Sequence, residues 1–353
     1  MKLTAGIVLG LIFYEYYGAG DTINFFEDVK SMKPNNGSEP RTQFFLFILK
    51  PVVQFSNGSY WITSLYFSFL SFISFWYGVG LLIRLFPQLK WLIAISFLMI
   101  PSIVFWSSGI IKDSLASASL IIFISTSVFF YHKHKINIVG LFLMVISAFV
   151  LLKIKHYILI SGILFIAILF CLTLFKQMGL KWKVASIVIF MGALSLTQII
   201  HPYLKLDRIP WTLHQNNQAI LDKSDVEDQL NIELTESSWN EVLKNVPKAL
   251  HAGLFRPSIM DKTPIWGWIH RGENIVLTTL IMMSIILAIK LKPTVDWPLL
   301  LASICCILLL AIMLPLSTPN FGTLVRYKNA YMPYLFLISS ILPYRYLTSQ
   351  TKE

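Results

Sequence analysis

A chain of 353 residues that is 56% hydrophobic and 13% charged, with a mean hydropathy of +0.66, is not an ordinary soluble protein; it reads as a polytopic membrane protein. Lys and Arg outnumber Asp and Glu by 29 to 18, a formal net charge of +11. In so apolar a chain that excess speaks first to membrane topology, and no nucleic-acid partner is expected.

A helix needs roughly 20 apolar residues to cross the hydrocarbon core. Runs of that order lie at 3–17, 59–83, 91–107, 114–131, 137–152, 157–175, 184–201, 274–290, 298–316 and 329–344, which predicts an all-α fold of about ten transmembrane helices forming one membrane domain over 1–353. The first run has the length of a signal-peptide core, but no small-residue cleavage site follows it and many spans come later. Cys171, Cys305 and Cys306 all fall inside apolar runs, so no disulfide framework is implied.

An N-terminus in the cytoplasm puts Lys2, Arg84, Lys90, Lys133, Lys135, Lys176, Lys181, Lys183, Lys290, Lys292, Arg345 and Lys352 on the cytoplasmic side with only Asp296 and Glu353. The opposite side then receives a first outer loop, 18–58, and a long one inserted between spans, 202–273, which hold most of the acids. The positive-inside asymmetry favours this orientation, with both termini cytoplasmic. In the first loop, 42–56 is apolar but too short to span and predicts an interfacial helix. In the second, acids spaced among apolar residues over 222–250 predict short amphipathic helices. Asn36-Gly37-Ser38 and Asn57-Gly58-Ser59 fit both a glycosylation acceptor and a turn.

Charge at a span costs roughly 2.5–3.5 kcal/mol on insertion scales, so such residues need a pairing or functional reason. Here they gather at the outer ends: Asp21, Lys112-Asp113, Lys153, Lys155, His156, Arg256, His270-Arg271, Arg326 and Lys328. Lys112, Lys153, Lys155, Arg326 and Lys328 lie in short outer connections, where topology alone would not place cations. Either they snorkel to anionic headgroups, or they converge on a phosphate or diphosphate, which suits the fork of arginine and the compact charge of lysine.

Asp21 follows Gly18-Ala19-Gly20, where glycine turns can hold a carboxylate close to the membrane; it is either a turn aspartate or a general base for an acceptor hydroxyl. Pro101, then Ser107-Ser108-Gly109, break helix geometry ahead of Lys112 and Asp113, which either neutralise each other or leave Lys112 as a phosphate ligand, with Asp113 holding it in place or acting on the acceptor. Arg256 lies between Phe255 and Pro257, poorly placed for a purely solvated role. Arg326 and Lys328 diverge by about 200° on a helix, and Arg326 is the one expected to face inward. No nucleotide loop, paired-Cys site, His-Glu-x-x-His helix or nucleophile elbow occurs. His132-Lys133-His134-Lys135 reads as a basic loop, not a metal site, and no metal ligands are nominated.

Gly20-Asp21, the Pro-Ser-x-x-x-Trp-Ser-Ser-Gly-x-x-Lys-Asp stretch over 101–113, Phe255-Arg256-Pro257 and Arg326-Tyr327-Lys328 together resemble the GT-C superfamily of polytopic glycosyltransferases, in particular bacterial cell-envelope members. The resemblance implies location in a bacterial inner membrane. It also implies a polyprenyl-phosphate-linked sugar donor and a glycan, lipid or protein acceptor, with membrane lipids around the site. Asp21 then matches the catalytic carboxylate, and Lys112, Arg256 and Arg326 match phosphate-facing residues. No acid adjoins Asp21, which leaves a divalent metal open as the only cofactor in question. The alternatives are a polysaccharide polymerase or O-antigen-ligase-like enzyme using polyprenyl-diphosphate glycans, a transporter or flippase of an anionic lipid, and a non-enzymatic scaffold.

Overall fold

The computed structural model describes residues 1–18, 20–31, 39–133, 137–177, 179, 206, 208–261 and 267–350. Among them the regular structure is helical, with no strand and one isolated bridge between Gln229 and Asn320. The span expected at 184–201, the Asn36-Gly37-Ser38 site, and His134, Lys135, Lys181 and Lys183 lie outside the described residues. Tyr60–Leu85, Lys112–Lys133, His156–Thr173, Gly267–Leu291 and Trp297–Ser317 are long and apolar enough to cross a membrane. The protein is therefore a helical membrane protein with five candidate spans among the described residues.

The chain divides into two compact units. The first comprises Met1–Ile163, Leu280–Leu291 and Met332–Glu353. Its helices are α1 (Lys2–Leu11, continued by a π-helical stretch Ile12–Tyr17), α2 (Asp21–Lys30), α3 (Pro40–Phe55), α4 (Tyr60–Leu85), α5 (Lys90–Leu98), α6 (Pro101–Trp106), α7 (Lys112–Lys133) and α8 (Ile138–Ile154). It also holds the start of α9 (His156–Gln177). Helix α7 packs on α4 and α8 and is buried nearly all round, which explains its lack of amphipathic pattern. Small residues let these helices approach closely: a Cβ on Gly78 of α4 would lie 2.6 Å from Ile121 of α7, and one on Gly6 of α1 would lie 2.0 Å from Ser68 Oγ.

Two local expectations change. The run at 91–107 is not one helix but two short ones, because Pro101 forces Ile100 into extended geometry (ψ 121°) and ends α5. Lys2, expected to flank the membrane on the cytoplasmic side, is 4% exposed: its ammonium donates to Ser71 and Ser107 and sits 3.7 Å from the Phe75 ring centroid. Helix α1 starts against the middle of α4, and Lys2 is the residue of its first turn that points into that contact.

The second unit, Leu164–Thr279 and Lys292–Tyr331, contains α10 (Arg208–Leu221), α11 (Trp239–Phe255), the beginning of α12 (Gly267–Leu291), α13 (Trp297–Ser317) and α14 (Phe321–Lys328). The last helix, α15 (Met332–Gln350), belongs to the first unit. The amphipathic helices of the long loop flank 222–238 instead of filling it. That stretch holds one 3₁₀ turn, Val226–Asp228, and is then irregular, with Asn231 at φ 55°.

Leu230, Ile232 and Leu234 alternate inward there and pack with Leu213, Val242, Ala249, Leu316, Phe321 and Leu324. Side-chain amides satisfy part of the backbone here: Asn217 donates to the carbonyls of Ile232 (2.9 Å) and Leu316 (2.8 Å) and accepts from Leu234 N–H (3.1 Å). Helix α11 crosses α13 at Gly253, where a Cβ would fall 2.0 Å from the Ala311 carbonyl oxygen.

Candidate functional sites

The nominated residues fall into two groups, one in each unit. In the first unit, Gly20 precedes α2 with φ 153°, and a Cβ there would lie 2.3 Å from the Phe13 ring, so the turn needs glycine on two counts. This turn sets Asp21, which is exposed, as the first residue of α2. One helical turn on, Phe25 shares its face. The Lys112 ammonium lies 4.9 Å from the Phe25 ring centroid and donates to Thr42 Oγ1 at 2.7 Å, so α2, α3 and the start of α7 jointly orient it.

Asp113 points the other way, into the helices, and forms a buried ion pair with Lys155, the residue between α8 and α9. The two open readings of Lys112-Asp113 thus separate: Asp113 is matched by Lys155, and Lys112 is held by Thr42 and Phe25. Lys153 is exposed above the Phe149 ring (5.7 Å), and His156 is exposed beside Tyr157.

In the second unit, Arg256 ends α11 and forms a two-nitrogen contact with Asp261: Nη2 donates at 2.5 Å and Nε at 3.1 Å. Its Nη1 donates to the Leu230 carbonyl at 2.9 Å and its plane lies 4.7 Å from the Phe321 ring centroid. Ser258 N–H donates to the same carboxylate at 2.6 Å. Arg271 donates to the Asp261 carbonyl and lies 4.5 Å from the Trp268 ring centroid. Lys328 donates to the Arg256 carbonyl at 2.5 Å and to Asn274 Oδ1 at 3.5 Å, while Asn274 donates to the Pro257 carbonyl at 2.9 Å. Arg256, Arg271 and Lys328 are thereby brought together.

Burial resists charge on Asp261, but the Arg256 guanidinium and the Ser258 donor outweigh it and hold the carboxyl below its ordinary range. Burial pushes the Lys328 ammonium down to about 7, opposed by the Glu273 carboxylate.

The inward member of the pair on α14 is Lys328, whereas Arg326 is half-buried. Phe321, Leu324, Val325 and Lys328 fall at i, i+3, i+4 and i+7 and form the buried face, so the apolar pattern carries Lys328 inward with it. Asp261, Asn274 and Thr42 were not singled out from sequence. Asn274, three residues after Arg271, was available from helical spacing. Asp261 lies five residues beyond Arg256 across a turn, and Thr42 reaches Lys112 from another helix, for which no periodicity speaks. Among the described residues, no three His, Cys, Asp or Glu side chains gather as a metal site.

Neither a family model, nor a curated protein, nor a solved structure matches the chain. Fold and charge placement define a helical membrane protein with two organised charge clusters.

Proposed function

We propose that the chain is a membrane glycosyltransferase of GT-C type. In this reading it has about ten spans with both termini in the cytoplasm of a bacterial inner membrane, and it moves a sugar from a polyprenyl-phosphate carrier to a glycan, lipid or protein acceptor on the outer face. The observation that carries this reading is the corner of α2, α3 and α7. There an exposed carboxylate, Asp21, stands one helical turn from the ring over which the Lys112 ammonium is oriented. In transfer, the acceptor hydroxyl oxygen bonds to the anomeric carbon, its proton passes to Asp21, and the carbon–oxygen bond to the carrier phosphate breaks. The negative charge left on that phosphate is met by Lys112. A positioned base of this kind contributes roughly 10²- to 10⁴-fold.

Asp21→Asn, at an exposed position, leaves folding intact and is expected to remove transfer to within background in membrane vesicles supplied with polyprenyl-phosphate sugar. Transfer at the wild-type rate by that variant would exclude Asp21 as base.

A second reading, a polymerase or ligase acting on polyprenyl-diphosphate glycans, draws on the outer-loop arginines Arg256 and Arg271 gathered with Lys328. Mass spectrometry of lipid co-purifying with the protein separates the two. A polyprenyl-monophosphate sugar fits the first reading, a diphosphate oligosaccharide the second, and phospholipid alone neither.

A further inference from the structure

Two lysines that belong to neither cluster share a hollow in the first unit. The last turn of α2, the second half of α3 and the turn leading to α4 enclose a cavity of about 320 Å³, whose lining includes Lys30, Lys50, Gln54, Asn57, Val29 and Val53. This volume is within the range of small-ligand sites, roughly 300–1,000 Å³. Its construction is local: 50, 53, 54 and 57 recur at i, i+3, i+4 and i+7, so one face of α3 and its terminal turn supplies most of the wall. Asn57 (φ 51°) and Gly58 (φ 68°) then turn the chain in the left-handed region, and the stem of Lys30 lies against Gly58.

The turn's own donors are used internally, Asn57 N–H to the Gln54 carbonyl and Gly58 N–H to the Val53 carbonyl. The residues that line the hollow therefore offer side-chain chemistry, two lysines and two amide-bearing residues, with no carboxylate among the described ones. Two like charges sharing a small hollow repel, and a bound anion relieves that repulsion while accepting from the amides. Beside this face runs a second stripe, Phe47, Pro51 and Phe55, with Phe47 74% and Phe55 81% exposed. An aromatic stripe next to paired lysines, on a helix too short to span, has the form of an element lying at the depth of lipid headgroups.

We propose that this cavity is a binding site for a phosphate group, carried by a lipid headgroup or free in solution, held between Lys30 and Lys50 with Gln54 and Asn57 as further donors. The site stands apart from the transfer reaction: it uses neither Asp21 nor Lys112, and Asp21→Asn leaves it intact.

The test compares full-length wild type with the exposed-site double variant Lys30→Gln/Lys50→Gln. Both are purified into nanodiscs of phosphatidylcholine containing one fifth phosphatidylglycerol. Native mass spectrometry then counts retained phosphatidylglycerol, and calorimetry in pure phosphatidylcholine discs titrates inorganic phosphate. Loss of roughly tenfold in phosphatidylglycerol retention, with no phosphate binding by either protein, assigns the site to a lipid headgroup. Wild-type phosphate binding that the double variant lacks assigns it to free phosphate. Equal lipid retention and equal phosphate response in the two proteins would overturn the proposal. Lys50→Glu is a further check, since it should exclude both ligands more strongly than loss of charge does.

Discussion

Two aspartates in this molecule meet cations in opposite ways. Asp113 and Lys155 form an ion pair closed off inside the first unit, with side chains 5% and 8% exposed. Asp261 meets Arg256 at a more accessible place, accepts a backbone N–H as well, and stands in a network in which Arg271 and Lys328 are anchored by carbonyl oxygens. A carboxylate opposite a lysine cancels charge where none is wanted. A carbonyl opposite a lysine or arginine fixes the position of the charge without cancelling it. The first arrangement closes a charge pair off inside the fold, and the second holds cationic groups in fixed positions.

The largest effect that tests this contrast comes from the closed pair. Asp113→Asn or Lys155→Met alone leaves one charge in an apolar interior and should cost about 3–5 kcal/mol. The double variant Asp113→Leu/Lys155→Met should recover most of that. Denaturant unfolding of the detergent-solubilised protein measures all three; single variants as stable as wild type would mean that the pair is open to water.

Much of this architecture is legible in the sequence, and the exceptions have physical causes. The apolar runs behind α4, α7, α12 and α13 are long and free of interior charge, so length alone identifies them. The run at 91–107 satisfies the same count, yet the restriction before Pro101 divides it, a local steric fact that a hydropathy count averages away. Lys2 reads as a flanking cation because flanks are where lysines usually sit. Its burial depends on Ser71 and Ser107, brought to it from far along the chain.

At the second cluster, Arg256, Arg271 and Lys328 were each singled out from sequence, and the structure brings them together. The ranking of Arg326 over Lys328 followed angular separation and overlooked the apolar register that turns Lys328 inward. Asp261, which organises the cluster, carries no sequence signal beyond its nearness to Arg256.

An intermediate effect asks whether the second unit depends on close packing as the first does. Gly253→Ala puts a methyl 2.0 Å from the Ala311 carbonyl oxygen, a backbone atom that a side-chain rotation cannot move aside. Helices α11 and α13 must separate, at about 1–3 kcal/mol. The Gly253 carbonyl would also shift from Tyr331, which donates to it at 2.7 Å. Gly80 of α4 is the control: a Cβ there meets nothing within 4 Å, so Gly80→Ala should be neutral or stabilise by up to about 1 kcal/mol through helix propensity. Equal melting temperatures for the two variants would deny that the α11–α13 crossing is tight.

The smallest effect is a dependence on pH at Asp261. Asp261 is held below its ordinary value of 3.8, because Arg256 and the Ser258 donor together outweigh the opposing effect of burial. A carboxyl whose folded-state pKa is depressed contributes stability that is present above 3.8 and disappears as pH falls through the folded value. Acidification should therefore release the Ser258 N–H, which donates to that carboxylate at 2.6 Å. Hydrogen exchange read at Ser258, corrected for the intrinsic pH dependence of exchange, should show protection falling below 3.8 in wild type. In Asp261→Asn it should be low and flat across the same range. Protection that stays constant in wild type through that titration would place the Ser258 amide outside the control of Asp261.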